Sequence, residues 1–247
     1  MKRGFMGSAL VARFMGIEKI AVLGAGQMGN GIAQVAACAG YDVTMIDIKQ
    51  EYVDKGLAAI ENSLARVVKK ERMTAEEAAT ALARVGISTE KSAAADADLV
   101  VEAIPEIPDL KFSTFAELDQ ICKPEAILAS NTSSISINAI AAATSRPDRV
   151  IGMHFMNPVP VMKLVEIIRG YSTSDEVTNT IMDMSKKLNK VPVEVNDYPG
   201  FVANRILMPM INEAIITLHE GVAGVEEIDT VMKLGMAHPM GPLQLAD

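Results

Sequence analysis

Ile20-Ala-Val-Leu-Gly-Ala-Gly-Gln-Met-Gly-Asn30 is the stretch of sequence that decides the fold. Its apolar beginning predicts a buried strand, and the pattern Gly24-x-Gly26-x-x-Gly29 then leads into an Ala-rich segment predicted to be helical over residues 31–39. In this pattern the first glycine permits a tight turn, the second lets a pyrophosphate approach the backbone, and the third lets the helix pack closely on the strand. The free N–H groups and positive dipole end of the helix favour phosphate binding.

An acidic residue follows at the position that a dinucleotide site needs. Residues 40–46 predict a second strand, and Asp47 comes directly after it. A carboxylate there accepts hydrogen bonds from the adenosine ribose and repels an additional phosphate, so the pattern favours NAD over NADP. The alternative is an ordinary glycine-rich turn in an unrelated α/β protein, but strand, glycines, helix, strand and acid in this order favour dinucleotide binding.

Composition places the chain of 247 residues among globular proteins of one or two domains. Hydrophobic residues make up 49% and charged residues 22%, and the net charge of −8 argues against a nucleic-acid partner. No apolar run is long enough to cross a bilayer, so we expect no membrane partner. Cys38 and Cys122 lack metal-ligand spacing and are interpreted as reduced thiols of a cytoplasmic protein.

Residues 1–16 do not fit the folded pattern. They carry Lys2, Arg3 and Arg13 and no acid around a short apolar stretch, which leaves a signal or transit peptide as one interpretation. Arg13 interrupts the apolar stretch, however, and the sequence from Met15 resembles a natural start. We interpret residues 1–16 as an upstream or artificial extension and expect them to be disordered.

Strands and helices alternate through most of the remaining chain. Further strands are predicted over residues 85–88, 98–104, 126–129 and 150–154, and further helices over 50–70, 74–84, 109–121 and 137–142. Thr74-x-x-Glu77 is a capping box that opens one of these helices. Such alternation predicts a parallel sheet with right-handed crossovers, and hence a doubly wound Rossmann-type α/β fold.

The pattern changes after His154. Asn157-Pro158-Val159-Pro160 is turn chemistry between two strand-like runs, and a turn centred on Pro160 places His154 opposite Glu166 in an antiparallel pair. We therefore expect antiparallel strands to be added to the sheet after His154. A helix predicted over 174–188 and a strand over 191–195 complete this region.

The chain is predicted to form two domains, a dinucleotide-binding domain over residues 17–198 and the start of an all-helical domain over 199–247. Residues 201–220 and 226–234 predict helices, and the first is apolar on more than one side, so it needs several packing partners. The residues after Gly200 are few for an independent helical domain, and we expect this domain to be incomplete.

Polar residues gather where ligands bind in an open parallel sheet, beyond the carboxyl ends of the strands. Glu106 and the loop Ser130-Asn-Thr-Ser-Ser134 follow predicted strands, and His154 ends one. A carboxylate beside an imidazole fixes its tautomer and stabilises its protonated form, which suits a general base that accepts an alcohol proton. A structural His–Glu pair is the alternative. No metal site is expected, since no second His or Cys stands at ligand spacing.

Other side chains could reach a substrate. Ser133 could contact a substrate oxygen, although Ser-rich loops often form only turns or caps, and Asn204 could face a cleft between the domains or point to solvent. The basic segment Arg66-Val-Val-Lys-Lys-Glu-Arg72 could bind a phosphate-bearing substrate or simply end a solvated helix. A serine hydrolase is disfavoured because no Gly-x-Ser-x-Gly motif surrounds these serines.

Several motifs occur in a fixed order: Gly24-Ala-Gly-Gln-Met-Gly29, Ser130-Asn-Thr-Ser-Ser134, His154-Phe-Met-Asn-Pro158, Leu164-Val-Glu166 and Pro199-Gly-Phe-Val-Ala-Asn-Arg205. Together they resemble the 3-hydroxyacyl-CoA dehydrogenase family, most closely its short bacterial type, the 3-hydroxybutyryl-CoA dehydrogenases. The resemblance extends over residues 17–247. It implies NAD-dependent oxidation of an (S)-3-hydroxyacyl-CoA, or reduction of a 3-ketoacyl-CoA, by a cytoplasmic enzyme that dimerises through its complete helical domain.

The resemblance also implies roles for individual residues. His154 is the general base and acid, Glu166 orients it, and Ser133 and Asn204 hold the substrate oxygen and the acyl group. The implied cofactor-binding residues are Gly24, Gly26, Gln27, Met28, Gly29, Asp47, Glu106, Lys111, Asn131, Ser133 and Asn157. Ser63 and Lys70 match positions that contact CoA, which favours the phosphate-binding interpretation of the basic segment.

Two other functions remain compatible with the motifs. The L-gulonate dehydrogenase branch shares them but acts on a sugar acid, and a phosphate contact at Ser63 and Lys70 would argue against it. A catalytically silent NAD-binding protein is the second, although the intact His154 and Glu166 argue against it. The chain also departs from the family pattern at both ends, in residues 1–16 and in a helical domain that in the family continues beyond Asp247, which leaves dimerisation and activity open.

Overall fold

Residues 16–247 are described by the computed structural model, in which strands and helices alternate through most of the chain up to Phe155. The strands are β1 (Lys19–Leu23), β2 (Asp42–Ile46), β3 (Val85–Ser88), β4 (Leu99–Glu102), β5 (Ile127–Ser130), β6 (Val150–Phe155), β7 (Leu164–Arg169) and β8 (Val191–Asn196). The helices are α1 (Gln27–Cys38), α2 (Gln50–Lys69), α3 (Ala75–Ala83), α4 (Pro108–Ile121), α5 (Ile137–Ala141), α6 (Asp175–Lys187), α7 (Ala203–His219), α8 (Val225–Gly235) and α9 (Pro242–Ala246). Of the extension expected over residues 1–16, residues 1–15 lie outside the described residues.

The strands within the described range form one sheet of eight strands in the order β3-β2-β1-β4-β5-β6-β7-β8. All pairs from β3 to β6 are parallel, β7 is antiparallel to β6, and β8 is parallel to β7. The strand order reverses between β1 and β4, and this switch point is where doubly wound sheets bind their ligands. The predicted Rossmann-type α/β fold, with antiparallel strands after His154, is confirmed.

Each face of the sheet is covered by its own apolar core, because successive strand residues point to opposite faces. Ile20 and Val22 of β1 belong to a core that includes Ile32 of α1 and Ile181 of α6. Ala21 and Leu23, from the same strand, belong to the opposite core, which includes Phe115 of α4 and Ile137 of α5. A parallel strand that is buried on both faces reads as a continuous apolar run, which is why β1 could be predicted.

Element boundaries differ from the prediction at two helices that matter for the site. α1 begins at Gln27 instead of residue 31, because the helical hydrogen bonds start within the glycine pattern, with Asn30 N–H donating to Gly26 O at 2.9 Å. α7 begins at Ala203 instead of Phe201, since Phe201 has a φ of 49°, which is not helical. The capping box of Thr74 and Glu77 is present at α3.

The helices after β8 pack on one another. Asp229 of α8 accepts hydrogen bonds from the backbone N–H groups of Leu243 and Gln244, both at 2.9 Å, and so caps the start of α9. Large apolar side chains on these helices remain exposed, among them Ile206 and Leu234. No helix between residues 16 and 247 has both the length and the apolar character of a membrane span.

Candidate active site

The glycine-rich turn connects the end of β1 to the start of α1. Gly24 has a φ of +97°, and a Cβ on Gly29 would lie 1.7 Å from the carbonyl oxygen of Gly24, so neither position accepts a side chain. Around Gly26, the N-cap residue of α1, no atom lies within 4 Å of an added Cβ. The backbone at the helix N-terminus therefore faces open space, which a phosphate group can enter.

Asp47, which follows β2, is held against this turn. Its Oδ2 accepts a hydrogen bond from Ala25 N–H at 2.7 Å, and its Oδ1 accepts one from Ile48 N–H at 2.7 Å. A carboxylate oxygen has two lone pairs, so both oxygens can still accept from ribose hydroxyls. A ribose at Asp47 stays a prediction, and the negative charge beside the turn would disfavour a phosphate on a ribose bound there.

Gln27 and Asn157 link the first turn of α1 to the connection between β6 and β7. The side-chain amide of Gln27 donates from Nε2 to Oδ1 of Asn157 at 3.1 Å. Met28, the next residue of α1, packs its partly buried side chain against the core on one face of the sheet. The glycine-rich turn and the segment after His154 therefore lie side by side.

Glu106 organises the Ser-rich loop that follows β5. Its Oε1 accepts hydrogen bonds from the N–H groups of Ser133 at 2.9 Å and Ser134 at 3.2 Å, and from the hydroxyl of Thr132. Burial raises the pKa of Glu106, but the Thr132 hydrogen bond, the nearby Lys111 charge and the Ser133 hydrogen bond outweigh burial and lower it below its ordinary value. The loop that carries Ser133 is thus wrapped around an ionised carboxylate.

Lys111 lies beneath this loop with its side chain 1% exposed. Its Nζ lies 2.6 Å from Oε1 of Glu102 and 3.2 Å from Oε2 of Glu106, and it donates to the carbonyl of Ile104 at 3.2 Å. Glu102, at the end of β4, is completely buried and also accepts from the Ser130 hydroxyl at 2.6 Å. The ammonium group of Lys111 is therefore bonded within the protein, and its contact with the cofactor stays a prediction.

The sequence interpretation did not identify Glu102 as part of the site. The signal was present, because a charged residue ends the otherwise apolar run of β4. A buried carboxylate needs a partner of opposite charge, and Lys111 is that partner.

His154 and Glu166 occupy directly opposed positions on the antiparallel strands β6 and β7, as the turn at Pro160 predicts. Nδ1 of His154 lies 2.8 Å from Oε2 of Glu166, and both side chains are buried. An ionised carboxylate only accepts hydrogen bonds, so this contact places the proton on Nδ1 and leaves Nε2 as the nitrogen that can meet a substrate. The imidazole ring also packs near Phe201, with ring centroids 5.8 Å apart.

The start of α7 lies against both the His–Glu pair and the Ser-rich loop. Oε1 of Glu166 accepts hydrogen bonds from Ala203 N–H at 2.9 Å and from Val202 N–H at 3.2 Å. The side chain of Asn204 donates from Nδ2 to the carbonyl oxygen of Ser133 at 3.2 Å. Asn131 ties the same loop to β6, because its Oδ1 accepts from Phe155 N–H at 2.9 Å. Residues from four distant parts of the chain thus meet at the carboxyl edge of the sheet.

Comparison with known families assigns both parts of the chain. Residues 19–198 match the family model described as 3-hydroxyacyl-CoA dehydrogenase, NAD binding domain, and residues 200–247 match the model of the C-terminal domain of the same family. The chain belongs to the 3-hydroxyacyl-CoA dehydrogenase family. The resemblance inferred from the motifs is confirmed, and so is NAD as the cofactor, which fits the open backbone at Gly26 and the carboxylate of Asp47.

Individual members of the family are similar over most of the chain. A probable 3-hydroxybutyryl-CoA dehydrogenase of Deinococcus radiodurans is 57% identical over 229 residues, which are 93% of this chain and 82% of that protein. The human mitochondrial hydroxyacyl-coenzyme A dehydrogenase is 45% identical over 237 residues, 94% of this chain and 76% of that protein. The crystal structure of (S)-3-hydroxybutyryl-CoA dehydrogenase from Ralstonia eutropha superimposes with a TM-score of 0.92 at 52% identity and covers 94% of this chain and 82% of that chain.

Ser63 lies on α2, and Lys70 is the C-cap residue of that helix. A spacing of seven residues places them on the same face of the helix, with Lys70 exposed. α2 itself passes close to the glycine-rich turn, because a Cβ on its Gly56 would lie 2.8 Å from the carbonyl oxygen of Ala25. Contacts of CoA with Ser63 and Lys70 would use a second surface, on the C-terminal half of α2, and they stay a prediction.

The other histidines and the cysteines lie outside these two surfaces. His219 is exposed near the end of α7, and His238 is partly exposed in the connection between α8 and α9. Cys38 is exposed and Cys122 is buried, and both are free thiols. Among residues 16–247, no group of three His, Cys, Asp or Glu side chains could hold a metal ion.

Proposed function

We propose that this protein catalyses the NAD-dependent oxidation of (S)-3-hydroxyacyl-CoA thioesters to 3-ketoacyl-CoA and the reverse reduction, with 3-hydroxybutyryl-CoA and acetoacetyl-CoA as the short-chain pair. The observation that carries the proposal is the contact of 2.8 Å between His154 Nδ1 and Glu166 Oε2. It lies on the same edge of the sheet as the open backbone at Gly26. The names of the similar proteins from Deinococcus radiodurans and Ralstonia eutropha support the same substrate class.

His154 is the general base in the proposed oxidation. The reaction removes a hydride from C3 of the thioester and a proton from its hydroxyl group, and bound NAD accepts the hydride. Nε2 of His154 takes the proton as the C3–O bond becomes a carbonyl, and Glu166 stabilises the resulting imidazolium through Nδ1. In the reverse direction the protonated His154 returns the proton to the carbonyl oxygen.

Ser133 and Asn204 hold the substrate in this proposal. Ser133 is exposed on the loop that Glu106 fixes, so its hydroxyl is free to donate to the C3 oxygen. Asn204 is bonded to the Ser133 carbonyl, which keeps its side-chain amide next to that hydroxyl. The proposed cofactor contacts are Gly24, Gly26, Gln27, Met28, Gly29, Asp47, Glu106, Lys111, Asn131, Ser133 and Asn157.

The remaining parts of the proposal concern the CoA group and the assembly. Ser63 and Lys70 contact the phosphate-bearing part of CoA, in keeping with the basic residue Arg66 in the last turn of α2. The protein acts in the cytoplasm as a homodimer. The exposed apolar side chains of the C-terminal helices support dimerisation, since Ile206 is 64% and Leu234 is 82% exposed. The incomplete second domain expected from the sequence stays a prediction.

Turnover of acetoacetyl-CoA tests the proposed function directly. The purified protein is mixed with NADH and acetoacetyl-CoA, and the loss of NADH absorbance is followed. We expect NADH to be consumed with acetoacetyl-CoA and NAD to be reduced with (S)-3-hydroxybutyryl-CoA. L-gulonate with NAD is the control for the sugar-acid alternative. Turnover of L-gulonate alone, or NADH binding without any turnover, would contradict the proposal.

A further inference from the structure

A positively charged side chain outside the described site is buried without an acidic partner. Lys190 is 8% exposed, and its Nζ donates to the backbone carbonyls of Val159 and, at 2.7 Å, Met162. Within residues 16–247 no carboxylate lies at ion-pair distance from this ammonium group, and burial lowers its pKa. Burying an ammonium group whose partners are only carbonyl oxygens costs free energy. This cost favours a specific role for the two contacts that Lys190 makes.

The backbone of Lys190 is fixed by the end of α6. Asn189 has a φ of 58°, its N–H donates to the Lys186 carbonyl at 2.9 Å, and the N–H of Lys190 donates to the Ser185 carbonyl at 3.1 Å. These two bonds form a Schellman motif, which ends the helix in a defined direction. The Lys190 side chain therefore starts from a rigid point.

The segment that Lys190 holds is the connection between His154 and Glu166. In this connection, residues 156–163, the N–H groups of Val161 and Met162 both donate to the Pro158 carbonyl at 3.0 Å. The carbonyls of Val159 and Met162 are left for Lys190. Since β6 and β7 carry the His–Glu pair, the ammonium binds the turn that joins the two partners.

The other side of the connection faces the cofactor-binding helix. The Val159 side chain lies on Gly31 of α1, where an added Cβ would be 2.8 Å from Val159 Cβ. Asn157, two residues earlier, accepts the hydrogen bond from Gln27 in the first turn of α1. The connection is thus clamped between Lys190 and α1.

We propose that Lys190 is a positioning residue, whose ammonium group holds the β6–β7 connection against α1 and thereby sets His154 relative to the bound cofactor. This inference rests on the proposed function. A methionine would fill the same space but leave two inward-facing carbonyls without a donor, so the connection would move away from α1. Misplacement of the reacting groups by about 1 Å is enough to lower turnover greatly.

Lys190→Met is the first test, with Lys123→Met as the matched control. Lys123 pairs with Asp98, which binds the backbone at the start of β1, on the edge of the sheet away from His154. NADH affinity is measured by nicotinamide fluorescence. Well below the unfolding temperature, we expect Lys190→Met to bind NADH about tenfold more weakly and to have a lower kcat at saturating NADH. The control should match the wild type.

An NADH Kd and a kcat equal to those of the wild type would overturn the proposal, even if the Tm falls. Gly31→Ala provides a second route, because it pushes on Val159 without touching Lys190. It should also weaken NADH binding, and the double variant should be no weaker than Lys190→Met alone, since both act on one connection. Additive losses of NADH affinity in the double variant, or an unchanged NADH affinity in Gly31→Ala, would contradict the proposal that Lys190 and α1 hold the same connection. A wild type that binds NADH without turnover refutes the proposed function separately and leaves the NADH comparison intact.

Discussion

Glu166 binds His154 through one carboxylate oxygen and the start of α7 through the other. Oε2 lies 2.8 Å from Nδ1 of His154, and Oε1 accepts from Ala203 N–H at 2.9 Å. The orientation of the imidazole is therefore tied to the first helix of the C-terminal region. The helix dipole places a partial positive charge beside this oxygen, which complements the charge of a carboxylate.

Glu166→Gln should lower turnover while leaving NADH binding in place. The Gln side chain has one amide oxygen, which can face either the N–H groups at the start of α7 or His154, but not both. An amide also stabilises an imidazolium less well than a carboxylate does. We expect kcat to fall by about 10² to 10⁴ with little change in NADH Kd. Steady-state kinetics and nicotinamide fluorescence measure the two quantities. Glu194→Gln, an exposed change on the neighbouring strand β8, is the control, and equal kinetics for both variants would contradict the role of Glu166.

Asp47→Asn should relax the preference for NAD. The substitution keeps the shape of the side chain that accepts from Ala25 N–H but removes its negative charge. We expect the ratio of kcat/KM for NADPH to that for NADH to rise by roughly tenfold, because a like charge no longer faces the ribose phosphate. Asp42→Asn, at the start of β2, the strand that precedes Asp47, should leave the ratio unchanged. An unchanged ratio in Asp47→Asn would remove Asp47 from cofactor selection.

Glu106→Gln should reveal a contribution to stability that depends on pH. The folded-state pKa of Glu106 is lowered, so its stabilisation is present above the pKa of an unfolded carboxyl, about 4.3, and is lost as pH falls through the lower folded value. We expect the wild type to exceed Glu106→Gln in unfolding free energy by about 0.5–1 kcal/mol near neutral pH, because the carboxylate is 39% exposed and water screens part of its interactions. Urea denaturation should show this difference shrink below about pH 4. If the difference in unfolding free energy does not depend on pH, the charge of Glu106 is not what holds the loop. Glu125→Gln, a substitution at an exposed position, is the control.

Lys70→Glu should weaken binding of the CoA thioester specifically. We expect the KM for acetoacetyl-CoA to rise about tenfold, with the NADH Kd unchanged, because the substitution turns an attraction for phosphate into a repulsion. Lys69→Glu is a closely matched control, since Lys69 is adjacent in sequence but lines an apolar groove between α2 and α3. Equal effects of the two substitutions would indicate general electrostatics instead of a contact at Lys70.

Local sequence signals predicted the fold because each acts over a few residues. The apolar run of β1, the glycine pattern and the capping box at Thr74 each specify backbone geometry within one element. The opposition of His154 and Glu166 could also be predicted, since both are equally far in sequence from Pro160, the predicted centre of the connection, and the length of a connection fixes the register of the strands it joins.

Contacts between distant segments could not be predicted in the same way. Lys190 donates to the carbonyl of Val159, which is 31 residues away in sequence, and Asn204 donates to the carbonyl of Ser133, which is 71 residues away. Nothing in the spacing of Glu102 and Lys111 shows that β4 and α4 bury them against each other. These contacts arise from packing of whole elements, which local patterns do not specify.

His154→Gln tests the central claim most directly. Turnover of acetoacetyl-CoA and the NADH Kd are measured together for this variant, with His219→Gln, an exposed change in α7, as the control. We expect His154→Gln to lose roughly 10² to 10⁴ in kcat and to bind NADH within about twofold of the wild type, because the proposed binding site of the phosphates is the glycine-rich turn, which the substitution leaves intact. A His154→Gln variant that turns over acetoacetyl-CoA at the wild-type rate would contradict the assignment of His154 as the general base and acid.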